Sequence, residues 1–303
     1  MSRIAGWVLL ILLLISCQKS SNSIENLLIK GSDTEVNVAL ALAEAFMEKE
    51  PNVSIAVTGG GSGTGVAALL SGKTNIANSS RPMKPDELKM AEARGIRPLP
   101  IVFGIDALAI IVNEQNPLDS LTMDELARVF KGEVRHWAAI GGPNMNVSLY
   151  GRQSNSGTFI YFRDEVLNAE YSASLKQMNG TAQIVEAIST DPAGVGYVGV
   201  GYLLEKSGDL PQGVKLLKVS RAKGQTAYSP LESSHITSDQ YPIVRPLYQY
   251  VNGKPSGRLL EFLLFAIGAE GQAIVSKNGY YPISKAQHAA DIELLNAEVA
   301  INK

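Results

Sequence analysis

Apolar residues fall in short runs, separated by polar loops and by stretches of helical periodicity. Leu27 to Lys30 (LLIK), stopped by Gly31, has the pattern of a buried strand. Beyond Thr34, residues Val38, Leu42, Ala45 and Phe46 recur at helical spacing, so a helix starts just after Gly31-Ser32-Asp33-Thr34. Val53 to Val57 (VSIAV) predicts a second strand, followed by the glycine-rich segment Gly59 to Gly65 and a helix through Val66, Leu69 and Leu70. Ile76-Ala77 predicts a third strand, ended by Asn78-Ser79-Ser80-Arg81-Pro82, and Lys84 to Arg94 a third helix. Strand, polar loop and helix thus repeat three times, which is the pattern of an α/β fold with a parallel sheet.

The second half is built differently. Ile101 to Val112 (IVFGIDALAIIV) is too long for an ordinary strand, and Tyr241 to Val251 (YPIVRPLYQYV) is a second long β-like run. Between them lie a helix over Leu121 to Phe130 with Thr122 as N-cap, a strand over Val147 to Tyr150, a helix from Phe159, a helix over Thr181 to Ile188 and a glycine-rich strand over Gly194 to Val200. Leu259 to Ile267 reads as an apolar helix. Two long crossing strands divide the chain into two lobes, with residues 24–104 and 246–303 in the first and 105–245 in the second.

The N-terminus carries a different signal. Arg3 precedes an unbroken apolar stretch, Ile4 to Ile15, which is too short to span a bilayer and has the make-up of an export signal. It runs into Leu14-Ile15-Ser16-Cys17, which resembles the bacterial lipobox, and Cys17 is the only cysteine of the chain. Residues 1–16 are therefore read as a signal peptide, Cys17 as the acylated residue, and 17–23 as a polar tether (KSSNS over Lys19 to Ser23). This places the protein outside the cytoplasm, lipid-anchored to a bacterial membrane, where ATP-driven chemistry is not expected.

Composition narrows the function. The chain has 303 residues, 45% hydrophobic and 18% charged, enough apolar material for one large core or two smaller ones. Lys+Arg 27 against Asp+Glu 29 leaves a net charge of −2, so no basic field exists to hold a nucleic acid. Three scattered histidines and one cysteine do not make a zinc site. No metal and no cofactor is expected.

The chemistry sits in four polar loops at strand-to-helix transitions: Gly31 to Thr34, Gly59 to Gly65, Asn78 to Arg81, and Gly151 to Thr158 (GRQSNSGT). Each carries hydroxyls and opens a helix, whose exposed N–H groups favour an anion. In a parallel α/β sheet such loops gather at the C-terminal strand edge. One such loop is an ordinary N-cap; four together, with Arg81 and Arg152, form a candidate oxyanion cradle.

GSDT, GGGSGTG, NSSR, Ile111-Val112-Asn113, GRQSNSGT and His136-Trp137 after Phe130-Lys131-Gly132 make the sequence similar to the extracytoplasmic phosphate-binding lipoproteins of high-affinity phosphate ABC transporters. The resemblance implies a two-lobed type II periplasmic-binding fold with two sheets, flanking helices and two crossing strands, closing over one inorganic phosphate. It also implies ABC permease subunits as partners and no catalysis. It maps Ser32 and Thr34 to the first anion loop, Ser62 to the glycine-rich loop, and Arg152, Ser156, Gly157 and Thr158 to an Arg-x-x-x-Ser-Gly-Thr motif. Ser80 departs from the pattern: well-known members have there an Asp that accepts a proton from phosphate. In this chain the acceptor must come from elsewhere. Asp106 on the first crossing strand is the choice, with Asp33 as the second candidate.

Two other classes compete. A binding protein for sulfate or molybdate, or a phosphate-binding signalling lipoprotein without transport, uses the same features. An enzyme is disfavoured: Val66 after Gly65 leaves no P-loop lysine, and neither Ser62 nor Ser156 sits in G-x-S-x-G.

Overall fold

The computed structural model describes residues 24–203 and 209–296. The expected signal peptide, Cys17 and the tether lie outside the described residues.

Among the described residues there are ten strands: β1 (Glu25–Gly31), β2 (Val53–Thr58), β3 (Ile76–Ser79), β4 (Pro98–Asn113), β5 (Ser120–Thr122), β6 (Ser148–Arg152), β7 (Lys176–Met178), β8 (Gly194–Gly199), β9 (Val214–Ser220) and β10 (Val244–Asn252). They run in the order β2-β1-β3-β10-β4-β8-β6-β7, with β9 on β4 and β5 on β9. The three strand–loop–helix repeats do form a parallel set, β1 pairing with β2 and β3 in parallel. Helices Val36–Lys49, Ser62–Leu70 and Pro85–Ala93 follow those three strands. The second of them begins at Ser62, before its apolar positions start, because Gly61 at φ 99° turns the chain sharply into it.

The long run at Ile101 to Val112 is one strand of 16 residues, β4. At about 3.3 Å per residue it extends roughly 50 Å, enough to serve two sheets. Its first part, Pro98 to Ala107, pairs antiparallel with β10, and Leu108 to Val112 pair antiparallel with β8. Where the partner changes, Leu108 donates its amide to Ile243 at 2.9 Å, and Tyr241 donates its hydroxyl to the Leu108 carbonyl at 2.6 Å. The fold is two-lobed and of the type II periplasmic-binding class, with the two crossings side by side.

Each lobe has its own apolar core. Leu27, Ile29, Leu42, Phe46, Phe103 and Phe262 pack in the first. Phe130, Trp137, Phe162, Val195 and Tyr197 pack in the second. Phe162 and Tyr197 are stacked, with ring centroids 4.1 Å apart. Thr122 caps the helix Met123–Phe130 as expected, accepting the Glu125 amide at 3.1 Å. Leu121 instead belongs to β5, which adds in parallel to β9. Strand β9 was not anticipated: Lys215 and Lys218 break the apolar run that would have marked it. The helix Lys285–Asn296 carries too weak a periodicity to be read from sequence.

Candidate functional site

The four polar loops meet at one place between the lobes. From the first lobe come Ser32 and Thr34 after β1, Ser62 at the start of its helix and Ser80 after β3; from the second come Arg152 at the end of β6 and Ser156 to Thr158. All of these residues are buried. The parallel topology explains the convergence, since β1, β2, β3 and β6 all point their C-terminal ends at the interlobe surface.

Contacts within and across the lobes are close. The hydroxyls of Thr34 and Thr158 lie 3.0 Å apart. The Ser62 hydroxyl accepts the Ser80 amide at 3.1 Å and lies 3.4 Å from the Ser80 hydroxyl. Gly63 donates its amide to the Asn155 carbonyl at 3.0 Å, and the Asn155 side-chain amide donates to Gly60 at 3.0 Å. Ser156 caps its helix by accepting the Thr158 amide at 3.2 Å. Gly157 sits where no side chain fits: a Cβ there would lie 2.3 Å from the Ser62 hydroxyl and 2.6 Å from that of Ser80.

Two ion pairs frame the hydroxyls, the first partly exposed at its carboxylate and the second fully buried. Arg152 donates to Asp33 at 3.1 Å, to the Thr181 hydroxyl at 2.9 Å and to the Asn179 carbonyl at 2.9 Å, while its Nε has no protein partner. Burial pulls the Arg152 guanidinium below its usual range, and Asp33 opposes that. Asp33 also accepts the Thr181 amide at 2.8 Å, and Tyr202 donates to its carbonyl at 2.6 Å, so the first loop is tied to the second lobe.

The second pair sets Asp106 against an arginine of the other crossing strand. Asp106 is fully buried, and its Oδ2 accepts both Arg245 Nη2 at 2.8 Å and Nε at 3.1 Å. It neutralises Arg245 through this one oxygen, and its Oδ1 stays outside the pair. Burial raises the Asp106 carboxyl, against the pull of Arg245. Arg245 itself is the residue that sequence reasoning missed. Its Nη2 donates to Thr158 Oγ1 at 3.0 Å and lies 3.4 Å from Thr34 Oγ1, and its Nη1 has no protein partner. The available signal was the one charged residue inside the long run Tyr241 to Val251.

Arg81 has a carboxylate partner of its own. It is buried, but its guanidinium grips Glu87 with two hydrogen bonds of 2.8 and 2.7 Å and donates a third to the Pro82 carbonyl. Burial raises the Glu87 carboxyl, but the hydrogen bonds from Arg81 and the Lys84 amide outweigh it and hold the carboxyl below its usual range. Arg81 thus locks the entry to the Pro85–Ala93 helix, while its Nε has no protein partner. No group of His, Cys, Asp and Glu suited to a metal ion occurs among the described residues.

Comparison with known proteins fits this geometry. A family model for the PBP superfamily domain matches residues 17–270. A phosphate-binding protein PstS of Pseudomonas aeruginosa is 33% identical over 284 residues, spanning 88% of this chain and 85% of that protein. A putative phosphate ABC transporter substrate-binding protein from Clostridium perfringens, solved with bound phosphate, superposes with a TM-score of 0.75 at 23% identity, covering 86% of this chain and all of that one. A possible phosphate-binding protein from Planctomyces limnophilus superposes with a TM-score of 0.61 at 25% identity, covering 90% of this chain and 98% of that one. The chain belongs to the PBP superfamily of binding proteins and, within it, to the family of the phosphate-binding proteins PstS.

Proposed function

We propose that this protein captures inorganic phosphate between its lobes and delivers it to the permease of an ABC transporter. The observation that carries this reading is the closure of Thr34, Ser62 and Ser80 from one lobe against Gly157, Thr158 and Arg152 from the other, into one buried set of donors. A desolvated anion is costly unless every oxygen is hydrogen-bonded. Here hydroxyls, amides at helix starts and the unpartnered nitrogens of Arg152 and Arg245 supply the donors. Both arginines are balanced by a carboxylate, so the anion is held by oriented dipoles and not by a large excess charge. Hydroxyls accept as well as donate, which suits an anion carrying its own O–H.

In this reading residues 24–104 with 246–303 form one lobe and 105–245 the other, hinged at the paired crossings. Ser32, Thr34, Ser62, Ser80, Arg152, Ser156, Gly157, Thr158 and Arg245 surround the ligand, and Asp33 orients Arg152. Cys17 carries the acyl anchor, and the protein works outside the cytoplasm. The test is isothermal titration of the chain lacking residues 1–17 with phosphate and with sulfate. Tight phosphate binding and much weaker sulfate binding are expected; equal binding of the two, or no phosphate binding, refutes the proposal.

A further inference from the structure

Glu35 takes no part in the contacts described so far. It ends the short turn Asp33–Glu35, directly after Thr34, and no part of it reaches solvent. Neither carboxylate oxygen makes a hydrogen bond of ordinary geometry, and the Ser32 hydroxyl is the donor that acts on it. The titratable and charged groups around it come from three elements: Arg245 on β10, Asp106 on β4, and Tyr280 after the Ala269–Lys277 helix. The Tyr280 hydroxyl also donates to the Thr34 carbonyl, so the backbone beside Glu35 is pinned. Among these groups Arg245 is the cation, and Asp106 already neutralises it. The other arginine of the cleft, Arg152, is matched by Asp33. An ionised Glu35 therefore makes the enclosure negative before any anion has entered. Burial raises its carboxyl well above the usual range; the Ser32 hydroxyl and Arg245 pull it down, and Asp106 pushes it up further.

From this arrangement we infer that Glu35 is the proton-exchanging residue of the cleft: wherever the free protein holds Glu35 ionised, capture of the anion protonates it. The inference rests on the oxyanion reading of the cleft. The proton comes from solvent, and a carboxylate becomes a carboxylic acid. An entering anion places further negative charge in an enclosure whose cations are already matched, which favours the neutral acid. Linkage then makes phosphate affinity fall as pH rises through the range where Glu35 ionises in the free protein.

The test is titration calorimetry of the whole chain with inorganic phosphate, in pairs of buffers of different ionisation enthalpy, from about pH 5 to about pH 9. Phosphate exchanges a proton of its own near neutrality, so Glu35→Gln is measured in the same buffers. The wild type is expected to take up more protons than the variant, by up to about one, with its affinity falling up to about tenfold more per pH unit. Coincident proton counts at every pH overturn the inference while leaving phosphate binding intact. A wild type that gives no binding heat overturns the phosphate reading and the inference with it. An infrared difference spectrum of the wild type, with labelled glutamate carboxyls, does not depend on the variant folding. Phosphate addition is expected to increase the protonated-carboxyl stretch, and no gain at any pH overturns the inference.

Discussion

Arg245 and Asp106 lie directly opposite each other on β10 and β4, with Arg245 Nη2 2.8 Å from Asp106 Oδ2 and both side chains fully buried. Their pairing lets a guanidinium stand beside Thr34 and Thr158 without leaving a bare charge in the crossing region. Removing one partner of a buried pair costs about 3–5 kcal/mol, whereas replacing both with apolar groups is often neutral. Arg245→Ala is therefore expected to lower Tm sharply, and Arg245→Met with Asp106→Leu to recover most of the loss. Phosphate affinity stays lost in both, because the donor is gone. Calorimetry and thermal melts on the two variants check this; a double variant with wild-type affinity would show that Arg245 is only structural.

Arg152→Ala is expected to weaken phosphate binding by at least about 2 kcal/mol, roughly thirtyfold. The loss has two parts. A buried charged donor disappears, and Asp33 then faces the anion with only the Thr181 amide to satisfy it. Arg152→Lys should restore only part, since a point charge cannot serve Asp33, Thr181 and Asn179 together. Titration of both variants measures the difference.

Gly157→Ala tests closure alone. Its Cβ would meet the hydroxyls of Ser62 and Ser80 at 2.3 and 2.6 Å, so the lobes cannot close as they do here. Each lobe keeps its own core, so the melting temperature without ligand should hardly move. Affinity should drop by about tenfold or more. Small-angle scattering should find the variant more open in saturating phosphate than the wild type.

Arg81 and Glu87 give the contrasting case. Arg81→Ala is expected to destabilise the protein by about 1–3 kcal/mol, because it leaves buried acceptors unpaired, while phosphate affinity stays within about twofold. The Glu87 carboxyl is held below its unfolded value, so its contribution is present above the unfolded pKa and lost as pH falls through the folded one. Glu87→Gln should thus cost stability near neutrality and progressively less in acid. Chemical denaturation of both proteins across that window reads the effect.

Cys17→Ser should release the protein from membranes and leave phosphate affinity unchanged, since the acyl chain would supply the membrane affinity. Fractionation of cells expressing each form decides it; a variant that still sediments with membranes removes the lipid anchor from the proposal.

Much of this molecule is legible in its sequence, and for a local reason. Strand period, helix period and the hydroxyl-bearing turns between them are set by neighbours a few residues apart, so β1 to β3, their helices and the loops of Ser32, Ser62, Ser80 and Ser156 were within reach. Arg81 was legible too, in principle: Pro85 opens its helix and Glu87 stands at the third position, the pattern of an anchored N-terminus. The pairing of Arg245 with Asp106 was not. The two residues are 139 positions apart, and they face each other only because β10 runs antiparallel to β4 with an irregularity between Leu247 and Tyr248 that sets the register beyond it. A shift of one residue there would turn Arg245 to the other face of the sheet. The sequence thus determined which groups could hold an anion; only the tertiary register decided which arginines stand beside them and which carboxylate silences each, because charge balance in a buried site depends on long-range pairing that no local pattern encodes.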